Sequence, residues 1–158
     1  MANLTFKTTL LALQALEKVI KARIDVHGLE HLEDSPTLFV VIHFTRAETF
    51  IGPYIIHKYT GKYVNSLTDF KLFKGKFGEY LEQIGAVSIR EPARNRRIIG
   101  DLLTGRQNWV IYPEGVMVKT KKIIEAGKFF IRQPERTGPP HTGAAMVALT
   151  FRKGEHLF

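Results

Sequence analysis

Two spacings of hydrophobic residues alternate along this chain. Over residues 3–22, Leu4, Leu10, Leu13, Leu16, Val19 and Ile20 recur at helical spacing, with Lys7, Lys18 and Lys21 among the polar positions. This predicts an amphipathic amino-terminal helix, packed on a core or lying in a membrane interface. Arg23 to His27 alternates and stops at Gly28, the pattern of a short strand, and the run Leu38-Phe39-Val40-Val41-Ile42 reads as a buried one. A helix over Arg46–Tyr59 follows, with Gly52-Pro53 kinking or restarting it. Next come a strand at Tyr63–Leu67, a helix at Lys71–Ile84 closing on Gly85, a strand at Ala86–Arg90 and a helix from Pro92 to Leu103. Trp109–Tyr112 is a further strand, and a long connection over 116–142 leads to a helix at Gly143–Phe151. Strand alternating with helix predicts an α/β fold, a mostly parallel sheet flanked by helices and preceded by the amino-terminal helix. The division is a helix at 1–22 and an α/β domain at 23–158.

In a parallel sheet, ligands bind outside the carboxyl ends of the strands. Three successive predicted strand ends carry chemistry: His43 with Glu48, then Arg90, then Glu114 with Gly115. Five residues at 100° each would set Glu48 about 140° around a regular helix from His43, so the two cannot share a helical face. With His43 in the turn after the strand, Glu48 in the first helical turn can fold back onto one ring nitrogen. The other nitrogen is then free to act as a general base. A carboxylate early in a helix is also favoured by the helix dipole.

Each feature has a plainer reading. A histidine after an apolar strand often marks a capped turn; Arg90 beside Glu91 makes a surface ion pair; Tyr112-Pro113-Glu114-Gly115 is ordinary turn chemistry. The Arg94, Arg96 and Arg97 cluster fits a solvated helix face, and Lys119, Lys121 and Lys122 fit a surface loop. His27 and His31 stand four apart, but Gly28 breaks any helix that would aim both at a metal.

Composition narrows the partners. The chain has 158 residues, 44% hydrophobic, enough for one sizeable core. It has no cysteine, which excludes disulfides, thiol nucleophiles and cysteine-bound zinc. The 23 Lys and Arg against 15 Asp and Glu give a formal charge of +8 and favour anionic partners: phosphorylated small molecules, anionic lipid or nucleic acid. The basic residues are scattered and form no nucleic-acid motif, so nucleic acid is set aside. No apolar run reaches the roughly 18 residues of a membrane span, and Leu10–Leu16 is too short for a signal peptide; the chain reads as unprocessed and non-spanning.

The apolar strand ending in His43 with an acid five residues on, Gly85-Ala86-Val87-Ser88-Ile89-Arg90, and Ile111-Tyr112-Pro113-Glu114-Gly115, in this order, resemble the glycerolipid acyltransferases that acylate lysophosphatidic acid and related acceptors. The resemblance spans roughly residues 20–151. It implies acyl transfer from acyl-CoA or acyl-carrier protein to a hydroxyl of a lysophospholipid or glycerol phosphate, in a cytoplasmic protein peripheral to a membrane. His43 would be the base and Glu48 its orienting acid; Arg90 would bind the acceptor phosphate, and Glu114 with Gly115 would help bind the acceptor. No metal or other cofactor is implied. Three departures stand out. Glu48 replaces the family's aspartate, Val116-Met117-Val118 replaces Thr-Arg-Ser, and the chain stops at Phe158 where the family continues into another strand. The resemblance thus implies a truncated domain with an apolar sheet edge that favours association. It also leaves open a binding module of the same fold that has lost turnover.

Overall fold

The computed structural model describes residues 4–21, 23–32, 34–43, 45, 47–119, 124–125 and 127–155. Four strands form an all-parallel sheet: β1 (Leu38–Val40), β2 (Val64–Thr68), β3 (Ala86–Ser88) and β4 (Asn108–Ile111), in the order β1-β4-β2-β3. Leu38 pairs with Trp109, Val64 with Asn108 and Ser66 with Ala86. The helices are α1 (Leu4–Val19), α2 (Glu48–Thr60), α3 (Gly75–Gln83), α4 (Arg94–Leu103) and α5 (Gly143–Glu155).

The period-2 geometry of strands sorts the core into two layers. Leu38, Leu67, Val87, Trp109 and Ile111 meet Ile98 and Leu102 of α4 and Ala144 and Val147 of α5. Phe39, Val41, Val64 and Val110 meet Ile56 of α2 on the opposite face, where α1 packs on α2 and α3. The chain runs outward from β1 through α2, β2 and α3 to β3, then returns through α4 to insert β4 between β1 and β2. The helix that follows β1 and the helix reached from β4 therefore lie on opposite faces. The neighbouring carboxyl ends of β1 and β4 are thus a topological switch point, the place where open α/β sheets bind ligands.

Buried polar groups fix this order. Asn108 is completely buried; its amide accepts from the Thr37 N–H at 2.9 Å and donates to the Thr60 hydroxyl at 3.0 Å, tying β4 to the start of β1 and the end of α2. The Trp109 indole donates to Asp101 of α4 at 3.1 Å. On α1, Glu17 accepts from the Tyr54 hydroxyl and from Lys58 at 3.1 Å; these bonds hold its carboxyl below the usual range.

The structure corrects several sequence expectations. Arg23 to His27 forms no strand, although Ile24 and Val26 are half-buried and their neighbours exposed. Alternation there records one-sided burial of an extended segment without a ladder partner. Helix α2 runs through Gly52-Pro53 without a break. The helix predicted from Lys71 to Ile84 is split into a 3-10 turn at Phe70–Leu72 and α3. A side chain on Gly78 would come within 2.6 Å of the Phe73 backbone, so that glycine lets the preceding turn pack onto the helix. The connection over 116–142 contains two antiparallel ribbons, β5 (Ile124–Glu125) with β6 (Lys128–Phe129) and β7 (Ile131–Gln133) with β8 (Arg136–Gly138). Lys121 and Lys122 lie outside the described residues.

Candidate functional site

β1 ends at Val40, and its ladder continues one bond further, from the Val41 N–H to the Ile111 carbonyl at 3.0 Å. The chain then turns, and the His43 carbonyl accepts from the Val118 N–H at 2.6 Å. This holds the histidine backbone between the two segments that leave β1 and β4. Its Nδ1 lies 3.0 Å from Oε2 of Glu48, the first residue of α2. A carboxylate only accepts, so the ring carries its proton on Nδ1 and presents the Nε2 lone pair. Nε2 has no partner among the described residues, and the side chain is 19% exposed. The longer reach of glutamate compared with aspartate is thus accommodated in a normal hydrogen bond.

Tyr112 holds the pair from a side that the sequence did not reveal. Its ring lies 4.7 Å from the imidazole centroid at 47°, and its hydroxyl donates to the Glu48 backbone carbonyl at 3.1 Å. A Cβ on Gly52 would stand 3.4 Å from that hydroxyl, an ordinary contact, so α2 packs closely on Tyr112 at this residue. Burial, then the charges of Glu48 and Glu114, push the phenol up to about 12, so Tyr112 stays a neutral donor.

Glu114 follows β4 and is completely buried. Neither of its carboxylate oxygens has a hydrogen-bond partner among the described residues. Burial pushes the carboxyl above the usual range; the N–H groups of Glu114 and His43 and the His43 charge oppose this, and the Glu48 charge adds to it. The acceptor contact expected of Glu114 is not available to a side chain with no exposed surface. Its neighbour Gly115 is exposed at φ +67°. A Cβ there would meet the His141 ring at 2.6 Å. The His141 N–H donates to the Pro113 carbonyl at 2.6 Å, so the segment after β8 closes against this turn. Burial, and then Arg136, lower the His141 pKa. Nothing in the local sequence signalled His141, because its approach depends on the ribbons.

Arg90 lies on the same rim but at the far edge strand. Its guanidinium sits over the Phe70 ring, 3.3 Å from the centroid, and pairs with no carboxylate among the described residues. The Arg90–Glu91 ion pair is therefore absent, and a cation on an aromatic platform faces the rim. Phe70, in the 3-10 turn after β2, was missed because it falls between the strand predicted to end at Leu67 and the helix predicted from Lys71, and its contact with Arg90 is tertiary. Arg97 lies over the Trp109 indole, and Lys119 pairs with Glu135 at 3.7 Å, so both cations are already engaged. No group of three or more potential metal ligands occurs among the described residues.

The arrangement provides one oriented base, a nearby neutral phenol and an unpaired guanidinium at the carboxyl rim of a parallel sheet. No protein-family model and no curated protein matches the chain.

Proposed function

We propose that the protein is an acyltransferase that moves a fatty acyl group from a thioester, acyl-CoA or acyl-carrier protein, to a hydroxyl of a lysophospholipid or glycerol phosphate. The observation that carries this reading is the His43–Glu48 pair, with Nδ1 engaged at 3.0 Å and Nε2 unbonded among the described residues. Nε2 takes the acceptor hydroxyl proton as the oxygen attacks the thioester carbonyl. The tetrahedral adduct collapses, the carbon–sulfur bond breaks, and the imidazolium returns the proton to the departing thiolate. Glu48 keeps the ring in one tautomer and stabilises its cation. Arg90, free of carboxylates among the described residues, is the phosphate contact, and the exposed Gly115 turn helps to bind the acceptor.

An anionic membrane surface is the proposed setting. Leu4, Leu11, Leu16 and Val19 of α1 are exposed, with Lys7 and Lys18 exposed on the same helix and Lys21 just beyond it. That combination suits an interfacial helix, and no described helix is long and apolar enough to cross a membrane.

The second reading is a phospholipid-binding module of the same fold without turnover. The burial of Glu114 and the apolar Val116-Met117-Val118 after Gly115 favour it. A thiol-release assay with long-chain acyl-CoA and acyl-carrier protein, with and without lysophosphatidic acid, separates the two. Acceptor-dependent release that falls at least about 100-fold in a folded His43→Ala variant supports transfer by this base. Lysophosphatidic acid binding with no release from either donor establishes the module.

A further inference from the structure

The Glu114 carboxyl is the one fully buried acid beside the candidate base among the described residues. Both its oxygens lack partners, and its surroundings are the backbone N–H and imidazole of His43, the Glu48 carboxylate and Tyr112. A carboxylate in such a place loses hydration without replacement, and a group so placed keeps its proton instead. We propose that Glu114 is a positioning residue for His43: an uncharged carboxylic acid packed beneath the turn that carries the base, and not a contact for substrate. This rests on His43 being the base.

Three features converge on that role. The turn bearing Glu114 is fixed on both sides, by the Gly115 N–H to the Tyr112 carbonyl at 3.2 Å and by the His141 N–H to Pro113. The carboxyl therefore has a set place against the His43 backbone, which is itself held by Val118. Charge supplies the second feature. His43 already has one carboxylate, Glu48, at 3.0 Å, and a second, unhydrated carboxylate so close would be repelled by the first. A neutral acid fills the same space and keeps acceptor capacity toward the His43 N–H without that charge. The third is exposure: the group has none, while the neighbouring Gly115 does. Among the described residues, the charged and titratable groups around the turn are His43 and Glu48 from the β1–α2 turn, Tyr112 at the end of β4, and His141 across Gly115 with Arg136 behind it.

The test follows the His43 ring by heteronuclear NMR without any substrate, so it is decided even if the protein transfers no acyl group. The native protein, Glu114→Gln and Glu114→Leu are compared, each first checked for folding by thermal melting. In the native protein the side-chain carboxyl carbon of Glu114 is followed as pH rises, and it is expected to keep the protonated form above the ordinary glutamate range. An ionised Glu114 at or below that range overturns the proposal, because the group would then carry charge. Glu114→Leu, apolar and of similar size, is expected to broaden or lose the hydrogen-bonded Nδ1–H resonance that Glu114→Gln retains. An unchanged Nδ1–H resonance in folded Glu114→Leu refutes the positioning role. If the leucine variant does not fold, the same resonance is compared in Glu114→Gln and Glu114→Ala, with the same reading of either outcome. With acceptor turnover in hand, a Glu114→Gln change confined to acceptor KM would assign the side chain to substrate and overturn the proposal independently.

Discussion

Substituting Glu114 by glutamine is expected to stabilise the protein progressively as pH rises above the ordinary glutamate range. The reasoning begins with complete burial and two carboxylate oxygens without partners. Burial raises the folded-state pKa above the unfolded value of 4.5, so between the two values the unfolded chain has released a proton that the native protein retains. The derivative of unfolding free energy with pH is then negative: this group's favourable contribution is full below 4.5 and is lost as pH rises to the folded pKa. Glutamine does not titrate and removes the dependence. The stability difference, variant minus native, should therefore grow by up to about 1.4 kcal/mol for each pH unit in that window. For a domain of this size each kcal/mol corresponds to roughly 2–4 °C in Tm. Any constant difference between amide and acid drops out, because the slope is what is compared.

The assay is urea unfolding followed by Trp109 fluorescence at half-unit steps from pH 4 to 7, on both proteins. Trp109 is completely buried in the α4–α5 layer, so its emission reports loss of the core. A difference that stays flat across the range refutes the argument. So does one that falls with pH, which would mean an ionised Glu114 stabilised by His43.

Other outcomes are equally specific. Arg90→Ala should raise the KM for a phosphorylated acceptor about tenfold or more with kcat nearly unchanged, measured by thiol release; an effect confined to the acyl donor would remove Arg90 from the acceptor site. Gly115→Ala should destabilise by about 1–2 kcal/mol in urea unfolding, since φ is +67° and the new Cβ meets His141 at 2.6 Å. Adding His141→Ala should relieve the steric part and leave the backbone part, and no relief would mean that the ring moves aside freely. Leu11→Glu with Leu16→Glu on α1 should weaken sedimentation with phosphatidylglycerol vesicles by at least about tenfold, and native binding should fall with salt; unchanged binding would place the membrane contact elsewhere.

The parallel sheet was legible because its signal is repeated: short segments rich in apolar residues at 38–42, 63–67, 86–89 and 109–112 are separated by helical patterns. The His43–Glu48 bond was legible for a local reason, since five residues across a strand-to-helix turn set the reach. What failed to show needed tertiary partners. Ile24 and Val26 alternate correctly but have no strand beside them. Tyr112 looked like the last strand residue, and only the packing of α2 across β4 turns its ring to His43. Strands as short as Lys128–Phe129 carry too few residues for a period to appear, so the ribbons that bring His141 to Gly115 left no pattern.

On the acyltransferase reading one acceptor must reach both Arg90 and His43, and the strand order sets that span. β1 and β3 are opposite edges, three strand spacings or about 14 Å apart. The Arg90 guanidinium stacks on Phe70, two residues past the end of β2, and β2 lies two spacings, about 10 Å, from β1. The position between them is the end of β4, where the exposed residue is Gly115. A phosphate held by Arg90 and a hydroxyl at Nε2 must therefore be joined across a residue without a side chain. On the acyltransferase reading, the exposed Gly115 turn, with His141 packed where its side chain would stand, lies along that span, and Glu114, one residue earlier and fully buried, is left to hold the base.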